Sequence, residues 1–481
     1  MASQEVSQTI SLKVVMDKEK NRVVMAEADS DLVDILLSFL TMPMGTIVRL
    51  ISKQPEPAII GSMTSLYKAV ENLEEQLLQT HICKSMLLDP RNPSGKECLR
   101  LKLNIDDTKP KYYICCRNYS TFKNVACNYC RKMMDKVIYM EKEDPEGDGE
   151  VFVCGLTKFM VTDDLHVEPM APATILTLLH KLGIKDMSSL QETTLSIGSE
   201  EILHLLKGSL FSKTPLTDLF LRKQGFISES LNFERGDAME SKSESILLKS
   251  PLDMTMKLTM SKSMNKALYA EISEDMGNFL LSLLTLPLGS ILQLLNGNSS
   301  LVSMDNLYKS VECSKVTRDD SIRDLLLHPG LCRPSYNPLG VNVIDLPYSL
   351  WLTSYQNPQN KDNNPHTSYL TTKQQSNRGR TNEQCYCLTI NSQTSQIAGR
   401  GFLKGPATFM VTDNLVITPL VSMWSFSFLK SMEVPLDDLE VRMVSIGTEQ
   451  ALKLLKASLI SKSVLTDVFI NPGRKRPKQE K

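Results

Sequence analysis

The sequence predicts an α/β protein of the α+β type, built as two homologous lobes from an internal duplication. Three observations predict it. Blocks of sequence recur in the same order in the two halves. Within each half, short β-branched runs alternate with helical apolar faces. A chain of 481 residues with 42% hydrophobic content also supplies more than one ordinary core.

The first repeated block needs no gap. SLKVVMDKEKNRVVMAEADSDLVDILLSFLTMPMGTI from Ser11 aligns with TMKLTMSKSMNKALYAEISEDMGNFLLSLLTLPLGSI from Thr255, pairing Glu27 with Glu271 and Pro43 with Pro287. SLYKAVE at Ser65 aligns with NLYKSVE at Asn306, and FMVTDDLHVEPM at Phe159 with FMVTDNLVITPL at Phe409. LSIGSEE aligns with VSIGTEQ, and LLKGSLFSKTPLTDLF at Leu205 with LLKASLISKSVLTDVF at Leu454. Five collinear blocks are the signature of a repeat. The first copy spans 9–221 and the second 255–470. A tail of residues 1–8 precedes them, a polar linker covers 222–254, and a basic tail covers 471–481.

Within a copy the elements follow in order. Leu12 to Met16 and Arg22 to Glu27 read as a hairpin around a polar turn. Asp29 and Ser30, or Ser273, offer N-cap oxygens to the next helix. Its face is Leu32, Ile35, Leu36, Phe39 and Leu40, repeated as Met276, Phe279, Leu280, Leu283 and Leu284. Pro43–Gly45 and Pro287–Gly289 end it, because proline lacks a donor and glycine frees the backbone. A second helix starts near Ser62. Phe159 to Met170 reads as a hairpin turning on the pair Asp163–Asp164, matched by Asp413–Asn414. A helix follows from about Ala173, and a closing helix from Ser199 buries Ile202, Leu205, Leu206 and Leu210.

The middles differ in wording. The first holds a cysteine-rich stretch from Cys98 to Cys130. The second holds a segment of about 353–400, rich in Asn, Gln, Ser and Thr, which predicts a disordered loop.

Composition excludes several classes. A net charge of −1 sets up no field for nucleic acid or an anionic membrane, and 6% aromatics supply few stacking platforms. Asn278 to Leu295 carries no charge, but its counterpart holds Asp34 and Arg49, so both read as a buried helix broken at proline rather than a span. The N-terminus shows no secretory signal. Eleven cysteines, an odd number, then imply reduced thiols and a cytoplasmic or nuclear protein. Arg474–Lys475–Arg476–Pro477–Lys478 is a weak match to a nuclear import signal, outweighed by an ordinary basic tail.

No catalytic or cofactor motif is present: no GxSxG, phosphate loop, HExxH or GxGxxG. None of the six histidines recurs in both copies. The leading candidate site is Cys115, Cys116, Cys127 and Cys130. Cys127–Asn128–Tyr129–Cys130 has the gap by which two thiolates grip one zinc ion. Adjacent strand residues point to opposite faces, so only one of Cys115 and Cys116 is expected to ligate easily, with Cys98 or Cys154 to complete the set. The alternative is a set of reduced, half-buried thiols. A second candidate is an anion site at the helix starts Gly45–Thr46 and Gly289–Ser290, against a structural kink with a cap. Asp163–Asp164 with Glu27 and Glu271 is a third, against ordinary turn residues.

LLSFLTMPMGTIVRL, SLYKAVENL, the two FMVTD blocks and LLKASLISKSVLTDVF together resemble the plant domain of unknown function 674 family (DUF674). The resemblance covers both copies. It implies a plant intracellular protein, often with a cysteine-rich stretch in the first copy, and it implies no activity. The residues themselves point to a non-enzymatic interaction or scaffold protein with protein partners. The alternative is an enzyme or small-ligand protein with its site between the lobes. Polar residues lining a cleft between the lobes would favour the second reading, apolar contact between them the first.

Overall fold

Ile10, Leu12 and Val14 alternate with Ser11 and Lys13, so one face of the first strand is buried and the other wet. This strand, β1 (Ile10–Asp17), turns at Asn21, whose φ is 45°, into β2 (Arg22–Ala28). The middle of the first unit carries β3 (Tyr112–Cys115), β4 (Asn118–Ser120), β5 (Val125–Ala126), β6 (Met133–Met134) and β7 (Lys136–Ile138). Then come β8 (Phe159–Thr162), β9 (Val167–Pro169) and β10 (Leu190–Ile197). The second unit runs β11 (Met254–Ser261), β12 (Lys266–Ser273), β13 (Leu331–Cys332), β14 (Val343–Ile344), β15 (Ser349–Gln356), β16 (His366–Thr371), β17 (Gln384–Ile390), β18 (Thr408–Thr412), β19 (Ile417–Pro419) and β20 (Leu439–Ile446). The computed structural model describes residues 8–108, 111–140, 150–155, 157–222, 252–313, 315–332, 336–344, 349–356, 366–371, 384–391, 401–420, 428, 430–431 and 433–471. The basic tail and nearly all of the linker lie outside them.

Two five-stranded antiparallel sheets result, β10-β1-β2-β8-β9 and β20-β11-β12-β18-β19, with one strand order. Each carries a bulge at the same place, between Val15 and Met16 and between Thr259 and Met260. The fold class is thus mixed α/β. One feature departs from the expected turn. The Asp163–Asp164 hairpin takes three residues, because Leu165 and its counterpart Leu415 adopt φ of 62° and 63°. Ser273 accepts from Met276 N–H as a cap, whereas Asp29 makes no cap bond and pairs with Lys158 instead.

The two units share a single core. Helix Ser30–Thr41 is buried on all sides, Leu32 through Thr41, so it has apolar surface to give to both units. One apolar cluster runs unbroken from Ile10 to Leu465. At its centre the chains cross: Met44 N–H donates to Leu286 O (2.9 Å) and Leu288 N–H to Met42 O (3.0 Å). Further contacts are reciprocal. Ser62 Oγ donates to Ser461 O (2.7 Å), and Ser303 Oγ to Ser212 O (2.8 Å).

The middles correct the expectation of a disordered loop over 353–400. Residues 353–356, 366–371 and 384–390 there are strands. They join the first unit's middle in one sheet, β16-β15-β17-β4-β3-β7. Leu370 N–H donates to Tyr139 O (3.0 Å) and closes the sheet into a barrel. Each unit gives three antiparallel strands, and both seams between units are parallel: β17 on β4, and Leu370 on Met140. Inside lie Tyr112, Ile114, Tyr119, Ile138, Leu350, Leu370 and Leu388. A small barrel needs only one or two inward apolar residues per strand, so a polar composition does not forbid it. Residues 357–365, 372–383 and 392–400 of that segment lie outside the described residues.

Candidate metal centre

The cysteine quartet sits where the barrel's first hairpin meets the 127–130 turn. β3 ends at Cys115, and Cys116 adopts φ of 51°. That left-handed residue takes the chain out of the strand, so the alternation argument no longer applies. Cys115 and Cys116 present their sulfurs to one place, 3.8 Å apart, and the expectation that only one ligates easily is corrected. The second pair is positioned by its own backbone. Arg131 N–H donates to Cys127 O (2.9 Å) and Cys127 N–H to Lys132 O (2.8 Å), with Arg131 at φ of 61°.

The four sulfurs all lie within 4.8 Å of one another, and Cys115 and Cys130 are 3.3 Å apart. A tetrahedral ion with bonds of about 2.3 Å holds its sulfurs about 3.8 Å apart, so the quartet has the dimensions of a metal cage. Disulfide sulfurs sit at about 2.05 Å, and all four thiols are free. Cys127 is buried, Cys115 half-buried, and Cys116 and Cys130 exposed. The Lys132 N–H beside Cys130 brings that thiol down to about 7. A hydrogen bond to the Cys130 sulfur pushes the Cys115 thiol up to about 12, and one from Cys116 to the same sulfur pushes Cys116 up as well. Sulfurs this close cannot all ionise without a cation among them, which is the chemistry of a thiolate metal site. The residues fit a metal ion.

Two asparagines that sequence patterns did not single out tie this centre to the second unit. Asn118 Nδ2 donates to Thr389 Oγ1 (3.0 Å), and Asn391 Nδ2 to Ala126 O (2.9 Å). Cys127 Sγ lies 3.9 Å from Asn118 Oδ1. The cysteines therefore stand at a seam between the units. Cys98 is not part of the quartet: burial pushes its thiol up to about 12, and it faces Thr41 and Asn92. Cys154 is exposed and likewise outside it.

The other candidates are structural. Thr46 and Ser290 are fully buried and donate to Pro90 O (3.3 Å) and Pro329 O. A methyl on Gly45 would meet Leu87 O at 2.9 Å, and one on Gly289 would meet Leu326 O at 2.7 Å. These helix starts pack against the other unit and leave no space for an anion. Asp163 accepts from Thr217 N–H (2.8 Å) and Oγ1 (2.7 Å), and Thr217 Oγ1 accepts from Val23 N–H (2.8 Å). Asp413, Thr466 and Ala267 repeat the arrangement. Glu27 and Glu271 pair loosely with Lys13 and Lys257 on the sheet surfaces.

The fold and site together define an α+β protein of two matched units with a four-cysteine centre at their seam. The chain belongs to the family described as Protein of unknown function (DUF674), whose model matches residues 6–449. No curated protein and no solved structure matches it. Among the described residues no helix is long and apolar enough to cross a membrane.

Proposed function

We propose that this protein is a non-enzymatic interaction or scaffold protein of the plant cytoplasm or nucleus, arisen by internal duplication. In this reading one zinc ion on Cys115, Cys116, Cys127 and Cys130 fastens the barrel that its two units build together. The observation that carries the reading is the way the units meet among the described residues: through one shared apolar core, main-chain hydrogen bonds and buried Ser and Asn side chains that are satisfied across the seam. A depression of about 560 Å³ lined by Thr255, Lys257, Glu271 and Met443 lies on the outside of the second sheet. Zinc is favoured over other ions because four soft thiolates in a tetrahedral cage suit it and need no redox partner.

Metal analysis of the purified full chain tests the ion, with about one equivalent of zinc expected. Less than about half an equivalent sinks that part. Affinity capture from native tissue, reading proteins and metabolites together, tests the role. Recovery of a single small molecule with no protein partner would overturn it.

A further inference from the structure

We propose that β20 pairs antiparallel with β20 of a second copy of this chain, about a two-fold axis through Val441. β20 is an edge strand of eight residues, bonded to β11 on one side and to no described strand on the other. A free edge is a template for another strand. On its outer face Val441 is 63% exposed and Met443 66%.

The first unit supplies the control. Its edge strand β10 occupies the same place beside β1, with Thr194 opposite Lys13 where Met443 stands opposite Lys257. There the positions of Val441 and Met443 are held by Glu192 and Thr194, both exposed. Self-pairing of β10 in the same register would set Glu192 against Glu192 of the second copy, a repulsion that guards an edge. In β20 the register centred on Val441 pairs the five residues Leu439–Met443 favourably, and beyond them Val444 reaches the turn at Asp438. Glu440 faces Arg442 and Arg442 faces Glu440, Leu439 faces Met443, and the two valines meet. Glu440 and Arg442 already bond within the strand at 2.6 Å and are free to join a ring of four alternating charges. Two unlike charges flanking a β-branched centre make a strand that is its own best partner. No residue of this surface lies in the barrel, so the proposal goes beyond the interaction reading and survives its failure.

Sedimentation equilibrium of the full chain between about 1 and about 100 µM should show a monomer–dimer equilibrium, the range expected of a small interface. A monomer throughout overturns the proposal. Val441→Glu, which installs the first unit's residue, should weaken the dimer at least tenfold with an unchanged circular dichroism spectrum. Glu440→Arg should do the same, and Glu440→Arg with Arg442→Glu should restore it. Failure of that restoration overturns the register. A cysteine at the axis gives an independent reading that does not depend on weakening anything. Val441→Cys should oxidise to a covalent dimer, while Glu192→Cys should not. Equal cross-linking of both overturns the choice of strand.

Discussion

Where the chain re-enters each unit from the barrel, the two units solve one problem with different chemistry. In the first, the Asp34 carboxylate accepts from the N–H groups of Val151, Phe152 and Val153 at 2.8–3.1 Å. In the second, Asn278 Oδ1 at the matched position accepts from Phe402 and Leu403 at 2.7 and 2.8 Å. Both side chains are 2% exposed. The acceptor is what the fold requires at this point. The charge is not, and only the first unit carries it. The thiols follow the same rule. Both units contribute three strands to the barrel, but only the first supplies the cysteine quartet. At these two places what is common to the units builds the scaffold, and what differs gives the first unit an ionisable group.

The largest expected effect breaks the barrel from the first unit's side. Cys115→Ser with Cys130→Ser removes two of the four thiols proposed to hold the ion at the seam, and should cost about 3 kcal/mol or more. Differential scanning calorimetry should show a lowered or split transition, and a chelator should lower the wild type to match. Cys385→Ser with Cys387→Ser, in the second unit's barrel strand, should leave the transition within about 0.5 kcal/mol. Equal losses in the two variants would remove any special role for the quartet.

Next comes the crossing, where the units should respond alike. Gly45→Ala places a methyl 2.9 Å from Leu87 O and 3.1 Å from Leu284 O, and Gly289→Ala places one 2.7 Å from Leu326 O and 3.0 Å from Leu40 O. All four are backbone atoms, which cannot step aside cheaply. Each substitution should cost about 1–3 kcal/mol by urea denaturation, with Gly289 the more sensitive. A neutral result at either glycine would mean that the units pack less closely than the structure shows.

Much of this comparison was legible in the sequence, and the rest was hidden for physical reasons. The hairpins, the helix with its apolar face, the proline breaks and the closing helices announce themselves through period and punctuation. The cysteine quartet was legible as residues but not as geometry. Its closure depends on Cys116 at φ of 51°, and nothing in the pair Cys115–Cys116 reveals a left-handed residue. The shared core was half-visible. Helix Ser30–Thr41 shows one apolar face in the sequence, yet the structure buries it from Leu32 to Thr41, Asp34, Ser38 and Thr41 included, which the pattern alone does not say. The barrel was missed because its strands are short, its inward residues few and its intervening segments polar. Its pairing is also between halves far apart in the chain, beyond any local pattern.

The pH dependence of the two acceptors sharpens the contrast. Burial pushes Asp34 up to about 6 against the pull of its three N–H donors, and burial likewise lifts Asp163 to about 6. A carboxyl raised from 3.8 in the unfolded chain holds its proton more tightly when folded. Its contribution to stability is therefore fully present below about pH 3.8 and lost as pH rises through about 6. The wild type should be more stable near pH 5 than near pH 7. The two groups together account for a loss on the order of several kcal/mol. Asp34→Asn copies the second unit. It forfeits the bond to Val151 N–H, worth about 1 kcal/mol, and in exchange removes the cost of a buried charge at neutral pH. Urea denaturation at several pH values should show a shallower slope than the wild type between pH 4 and 7, the rest of the slope staying with Asp163 and with Asp106, Asp305 and Asp413, which burial also raises. An unchanged slope would place the titration elsewhere.

The smallest expected effect tests where the units are alike and the likeness carries little energy. Lys13 and Glu27 lie 3.7 Å apart on the first sheet, and Lys257 and Glu271 lie 3.6 Å apart at the matched place on the second. Each pair bridges β1 to β2 or β11 to β12 directly across the ladder. Both lysines are more than half exposed, at 59% and 57%, so water competes with each carboxylate. An exposed pair at this separation is worth about 0–1 kcal/mol and is weakened further by salt. Lys13→Met and Lys257→Met keep the aliphatic stem over the sheet and delete only the charge. Each should shift the denaturation midpoint by no more than about 0.5 kcal/mol, and the difference should vanish near 1 M salt. A loss above about 1 kcal/mol at Lys257 alone would mean that the Lys257–Glu271 pair beside the outer depression is held by something the first unit lacks. Lys257 and Glu271 both line that depression, so it would become the first place to look for a ligand.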